Sequence, residues 1–228
     1  MKKAVILLSG GIDSATTLAI AQKDEFHCYA ITFDYGQRHK IELKSAQKIA
    51  NYLKVKRHIT IAFDLGLIGG SALTDDIPVP KNQIPEEMGQ EIPITYVPAR
   101  NTIFLSFALG WAEVLGAHDI YIGANAIDYS GYPDCRPEYI KAYERLANLA
   151  TRVGTTGEGQ YNIHAPLINM SKADILRTGA LLGVDFALTT SCYDTTKEGL
   201  ACGICDACIL RKNAFSETQI PDPTQYVL

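Results

Sequence analysis

A continuous apolar run from Ala4 to Leu8 stops at a turn with two adjacent glycines, Ser9-Gly10-Gly11-Ile12-Asp13-Ser14, and helix-compatible sequence follows from Ser14 to Ala21. A strand without polar alternation expects cover on both faces, as strands of parallel sheets have. The rhythm then repeats. Cys28 to Phe33 reads as a strand, Lys40 to Leu53 as an amphipathic helix with Ile41, Ala46, Ile49, Ala50 and Leu53 on its apolar side, and His58 to Phe63 as a third strand. Further on come a helix at Thr102 to Leu115, a strand at Ile120 to Gly123, a helix at Pro137 to Val153 and a strand at Tyr161 to His164. Ser171 with Asp174 three residues later marks the start of a helix over Lys172 to Leu182. Strands alternating with helices predict an α/β fold, a Rossmann-like doubly wound parallel sheet. With 228 residues, 47% of them apolar, the chain has material for one sizeable core.

Residues 64–95 interrupt this order with prolines at 78, 80, 85 and 93 and glycines at 66, 69, 70 and 89, so a lid or crossover loop is expected there, a plain surface excursion being the alternative. The expected division is an α/β domain over 1–188 and a small cysteine-bearing segment over 189–228 that ends in a polar, proline-containing tail.

At the carboxyl edge of such a sheet, a turn between the first strand and first helix lies where ligands bind. Gly10 and Gly11 allow close backbone approach, the helix end offers N–H groups, and Ser9 and Ser14 add hydroxyls, which together make an anion cradle. The chain has no Gly-Lys-Ser/Thr and no G-x-G-x-x-G after a strand, which excludes two other phosphate loops. The alternative is a plain helix cap by Ser9 or Asp13. The pattern S-G-G-x-D-S resembles the signature of the PP-loop ATP pyrophosphatases. That resemblance implies an adenine nucleotide alpha hydrolase-like fold, ATP held by Leu8, Ser9, Gly10, Gly11, Ile12, Asp13 and Ser14, and cleavage between its α and β phosphates. Asp13, an acceptor among donors, makes sense against Mg²⁺ or as an orienting group. Replacing both Gly10 and Gly11 by Val is expected to abolish ATP turnover without unfolding the protein.

Cys192, Cys202, Cys205 and Cys208 are spaced C-x9-C-x2-C-x2-C, which suits one tetrahedral, structural Zn²⁺ per chain. An iron–sulfur cluster, a redox pair and metal-free thiols are the alternatives. Cys28, in a strand, reads as a core residue.

Taken whole, the chain resembles the 7-cyano-7-deazaguanine synthase family of PP-loop enzymes. Besides the turn and the cysteines, Phe33 to His39, Val97 to Thr102 and Asp128 to Arg136 carry the likeness. It implies an ATP-dependent carbon–nitrogen ligase of queuosine biosynthesis that turns 7-carboxy-7-deazaguanine and ammonia into the nitrile through adenylated acid and amide, and it implies a homodimer. Asn101, Asp128, Tyr129, Ser130, Tyr132, Asp134 and Arg136 are the expected substrate residues. A tyrosine there offers a face for a flat base, and Asp128 or Asp134 an acceptor for its amine edge. Arg100 and Lys172 are the expected catalytic cations, meeting phosphate or carboxylate and neutralising charge in the transition state. Arg38 and His39 are weaker candidates for a similar part. For each, the plain alternative is a solvated or packed side chain.

A net charge of −4 supplies no positive field for nucleic acid, no stretch approaches a membrane span, and the short apolar run after Met1-Lys2-Lys3 is no signal peptide, so a cytoplasmic enzyme on a small molecule is expected. A PP-loop enzyme that adenylates and thiolates tRNA is the competing reading, and a nucleotide sensor with a partner-binding cysteine ribbon is a third. The ammonia source and the choice between AMP and ADP as product are not legible in the residues.

Overall fold

The computed structural model describes residues 2–83, 91–127 and 131–227. Five parallel strands, β1 (Lys3–Leu7), β2 (His27–Asp34), β3 (Arg57–Ala62), β4 (Asp119–Tyr121) and β5 (Asn162–His164), form one sheet in the order β3-β2-β1-β4-β5. Val5 lies between Tyr29 and Ile120 in the register, so β1 is central and the strand order reverses beside it. Ligands of doubly wound sheets bind at that switch point.

The helices α1 (Ile12–Lys23), α2 (Ile41–Tyr52), α3 (Arg100–Leu115), α4 (Pro137–Ala150), α5 (Arg152–Thr156), α6 (Lys172–Leu181) and α7 (Asp206–Thr218) cover both faces. One core cluster joins Val5, Ile31 and Ile120 to Leu105, Ala108 and Tyr143. The other joins Ile6, Ala30 and Tyr121 to Leu18, Ile49, Leu176 and Phe215. Successive side chains from Ala4 to Leu7 serve opposite clusters, which is why that run shows no polar position. Each fully buried Ile or Leu contributes about 1.5–3 kcal/mol by leaving water. Cys28 is 3% exposed in β2, a core residue as expected, and burial pushes its thiol up to about 12.

The expected doubly wound sheet is present, with three departures in the helices. α1 begins at Ile12, two residues early, which puts Asp13 and Ser14 into its first turn. The expected helix over 137–153 breaks at Thr151, whose backbone is extended; its hydroxyl donates to Ala147 O, and the Arg152 N–H that starts α5 is satisfied by Glu113. The cysteine-bearing segment contains a 13-residue helix, α7, that the residue pattern did not announce. Its inward face is Cys208, Arg211, Ala214 and Phe215, so a charged residue occupies a core position, 2% exposed and held by Asp222 at 3.1 Å. Ser171 caps α6 as expected, its Oγ accepting from Asp174 N at 3.1 Å.

Residues 64–83 and 91–99 cross from β3 to α3 without helix or strand. Ala72 and Val79 pack with Ala201, Cys205, Ala207 and Cys208 in a third apolar cluster, and Lys81 forms a β-bridge with Cys205. No helix among the described residues is long and apolar enough to cross a membrane.

Candidate active site

Gly10 has φ +93°, a conformation that L side chains rarely adopt. A Cβ there would lie 2.3 Å from Glu42 O and 2.8 Å from Ala46 N, because the first turn of α2 packs directly on the turn. Gly11 is different. Its φ is −86°, and a Cβ would meet only Thr190 O at 3.6 Å and Ser9 Oγ at 3.7 Å. The protein itself therefore demands glycine at 10, whereas the openness at 11 leaves room for an incoming group. This corrects the expectation for the double Val variant: a branched side chain at Gly10 would strain the backbone and push α2 away, so its lost turnover would not separate binding from folding.

Ser14 Oγ accepts from Gly10 N at 3.2 Å and donates to Gly11 O at 3.1 Å, and it lies 3.1 Å from Ser9 Oγ. Gly11 is the N-cap of α1 and no side chain caps the helix, so the plain-cap alternative does not describe this turn. The first-turn N–H groups and the positive end of the helix dipole are left for an anion.

Asp13 in α1 and Lys172 in α6 meet beside the turn, with Lys172 Nζ 2.8 Å from both carboxylate oxygens. Lys172 is 9% exposed, so it is a buried cation rather than a solvated first-turn lysine. Thr190 closes the other side, donating its N–H to Gly10 O at 2.9 Å, and its Oγ1 is 2.8 Å from Ser45 Oγ.

The turn lines a cavity of about 230 Å³, to which Leu8, Ser9, Gly11, Ile12, Asp13, Ser14 and Lys172 contribute. Arg100, Asn101, Tyr132, Tyr35 and Phe104 line it as well. Burial alone would work against the Arg100 charge, but Tyr35, Asp134 and Tyr132 outweigh it and hold the guanidinium more firmly charged than usual. Its carbon also lies 6.0 Å from the Phe104 ring centre. Tyr132 is 6% exposed, with its hydroxyl 2.8 Å from Thr95 Oγ1. Burial raises the pKa of both Tyr35 and Tyr132.

Not every expected residue reaches this cavity. Asp134 is buried behind it, its Oδ2 accepting from Asn101 N at 3.0 Å while Asn101 Nδ2 donates to Asp134 O at 3.0 Å. It thus caps α3, whose own N-cap, Ala99, has φ +55° and no side chain able to accept. Arg136 is exposed, donates to Pro133 O and does not line the cavity. Asp128, Tyr129 and Ser130 lie outside the described residues. Arg38 and His39 stand at the rim, Arg38 directed to Asp75 O and Asp76, His39 3.5 Å from Asp194.

The lining residues to which the sequence assigned no role include Tyr35, Gln37 and Glu42. Gln37 accepts from Tyr35 N at 2.8 Å and donates to Phe33 O at 3.3 Å and Glu42 Oε1 at 3.0 Å, which fixes the direction of its amide. Burial pushes the Glu42 carboxyl up to about 7, Arg100 and Gln37 opposing. The Gln37 signal sat inside the segment Phe33 to His39. An acidic first-turn residue such as Glu42 reads in sequence as ordinary dipole complementation.

The sulfurs of Cys192, Cys202, Cys205 and Cys208 all lie within 4.8 Å of one another. Zinc–sulfur bonds of about 2.3 Å in a tetrahedron need separations of about 3.8 Å, so the four fit such an ion. Cys192 Sγ accepts from Asp194 N at 3.3 Å and Cys202 N at 3.2 Å, contacts that favour a thiolate. Cys192 and Tyr193 also line the cavity, so the cluster and the cavity share a wall.

A family model described as the queuosine biosynthesis protein QueC matches residues 3–219. A 7-cyano-7-deazaguanine synthase of Methylococcus capsulatus is 61% identical over 226 residues, covering 99% of each chain. Another, from Geotalea daltonii, is 61% identical over 227 residues, covering all of this chain and 97% of its own. Among solved structures, an NMN synthetase from Francisella tularensis aligns with all of this chain and 79% of its own at a TM-score of 0.52 and 18% identity, a likeness of fold.

Proposed function

The chain belongs to the QueC family of queuosine biosynthesis proteins, and from that membership we propose that it is an ATP-dependent ligase that converts 7-carboxy-7-deazaguanine and ammonia into 7-cyano-7-deazaguanine. The observation that carries the reading is one cavity lined both by the glycine turn with Lys172 and by Arg100, Tyr132 and Tyr35. A triphosphate and a flat anionic base would meet there.

A carboxylate resists ammonia because oxide is a poor leaving group. Transfer of AMP to it makes an acyl adenylate that ammonia can open to an amide, and a second adenylation, on the amide oxygen, lets AMP leave with formation of the nitrile. In this reading the helix end, Ser9 and Ser14 hold the β and γ phosphates, and Lys172 shifts from Asp13 toward the charge that develops at the α phosphate. Arg100 binds the substrate carboxylate and Tyr132 or Tyr35 its face. Asn101 and Asp134 set the position of Arg100. Mg²⁺, held beside Asp13, would neutralise phosphate charge. Zn²⁺ on the four cysteines would be structural, since all four tetrahedral positions are filled by thiolate. Asp128, Tyr129, Ser130 and Arg136 stay candidates for the rim of the base site. The physiological assembly is a homodimer in the cytoplasm, and free ammonia is the nitrogen donor.

The test incubates pure protein with ATP, ammonium and 7-carboxy-7-deazaguanine and follows products by mass spectrometry. Nitrile together with AMP and pyrophosphate is the expected result. ADP as the product would rule out adenylation, and absence of any nitrile would overturn the reading.

A further inference from the structure

The overall conversion sets a proton requirement that the residues assigned above do not meet. Nitrogen enters as ammonium, with four N–H bonds, and leaves as nitrile, with none. Two protons are lost in the first half: one frees the nitrogen lone pair, and the second leaves as the C–N bond forms and the C–O bond to AMP breaks, the electron pair going with AMP. The second half removes the remaining two from the O-adenylated amide as the next C–O bond breaks, again with the pair leaving on AMP. A group inside the cavity must accept these protons one after another and pass each to water.

We propose that Glu42 is that group, the proton acceptor for nitrogen in both halves of the reaction; the inference rests on the activity proposed above. Among the described residues only two carboxylates line the cavity, Asp13 and Glu42. Asp13 is held by Lys172 through both of its oxygens. Glu42 has one oxygen, Oε1, fixed by Gln37 at 3.0 Å, and that amide is itself locked by Tyr35 N and Phe33 O. Such fixing holds a base in place while leaving the second oxygen for a nitrogen. Its backbone lies against Gly10, so Glu42 stands beside the nucleotide turn, within the reach of a substrate bonded to AMP.

The surroundings suit the task. Arg100 from α3 and Tyr35 from the loop after β2 act electrostatically on the carboxyl, Tyr132 acts on Arg100, and Asp13 with Lys172 lines the same cavity. Arg38 and His39 are directed away, to Asp75, Asp76 and Asp194. Burial brings Glu42 to about 7, where a carboxyl can both take a proton and release it at neutral pH.

The experiment compares wild type with E42Q, whose side-chain oxygen can still accept from Gln37. With ATP, acid and ammonium, E42Q should form amide about 10²–10⁴-fold more slowly, the usual worth of a general base. It should also convert supplied amide to nitrile more slowly by a similar factor. With hydroxylamine, which is neutral at this pH and needs no deprotonation before attack, only the second proton of this half remains to be taken, so E42Q should lose less of the hydroxamate rate than of the amide rate. With supplied amide, where no ammonium takes part, the wild-type rate should fall on the acid side of about pH 7, and this limb should vanish in E42Q. E42D, which keeps a base, should recover part of the amide rate and guards against a folding defect in E42Q. Equal loss of hydroxamate and amide in E42Q would overturn the proposal, as would wild-type rates from E42Q with ammonium. Failure of the wild type itself to make nitrile would instead overturn the activity on which the proposal rests.

Discussion

Lys172 and Asp13 are separated by 159 positions in the chain, yet their side chains meet at 2.8 Å beside the glycine turn. Removing the ammonium with K172A should lower turnover by about 10²–10³-fold, the range seen when one preorganised charge donor is lost. Most of that loss should appear in kcat for adenylate formation, measured as pyrophosphate release. Glu42 carries a second prediction, on stability. Its carboxyl is raised in the folded protein above the ordinary value of 4.5, so folding favours the neutral form. That contribution is present below the ordinary value and is lost as the pH rises through about 7. E42Q should therefore be more stable than wild type at about pH 8, by about 1–3 kcal/mol, and the gap should close toward about pH 4.5. Urea unfolding at the two pH values checks this, and a pH-independent difference would contradict it. At this scale the sequence was informative where a motif named the chemistry, as in Ser9 to Ser14 and the four cysteines. It was silent on Glu42, because an acid in a helix's first turn is commonplace and only its neighbours reveal which way it faces.

Among the elements, α3 shows how a helix is set to serve a site. Its N-cap offers no acceptor, and Asp134 reaches across 33 positions to supply one, so the carboxylate expected to touch substrate instead positions the helix start that carries Arg100 and Asn101. D134A should cost about 1–2 kcal/mol in urea unfolding, the worth of a lost cap. It should also raise KM for the acid more than KM for ATP, because Arg100 moves with the turn while the glycine loop stays in place. The strands and first three helices were legible because apolar runs and period-3.6 faces report the burial of each element directly. α7 was hidden for the opposite reason: Arg211 sits in the middle of its inward face, paired with Asp222 and Thr189, and a buried charge erases the periodic signal.

Across the whole molecule, the crossover between β3 and α3 is joined to the cysteine segment. Lys81 bridges Cys205, Asn82 N donates to Ile204 O at 2.8 Å, and Val79 shares an apolar cluster with Cys205 and Cys208. A metal on the four sulfurs would therefore hold together the tail, the crossover and the wall formed by Cys192 and Tyr193. C205S, or prolonged chelation of the wild type, should remove one equivalent of metal by elemental analysis. Protease cleavage within 64–83 should then become faster, and the melting temperature should fall by several degrees. Unchanged cleavage after complete metal loss would show that the apolar cluster suffices. Connections of this kind were not legible beforehand, since nothing in a proline- and glycine-rich segment indicates which distant surface it will lie upon.

The hydrogen bond from Thr190 N to Gly10 O has a consequence for how the protein is made. The glycine turn leaves the ribosome well before its neighbours Lys172 and Thr190, the first of which follows Asp13 by 159 positions. A nascent chain thus carries an unfinished nucleotide site until those residues emerge, and contacts of such sequence separation form late in folding. Only a chain that has emerged past Thr190 closes the turn.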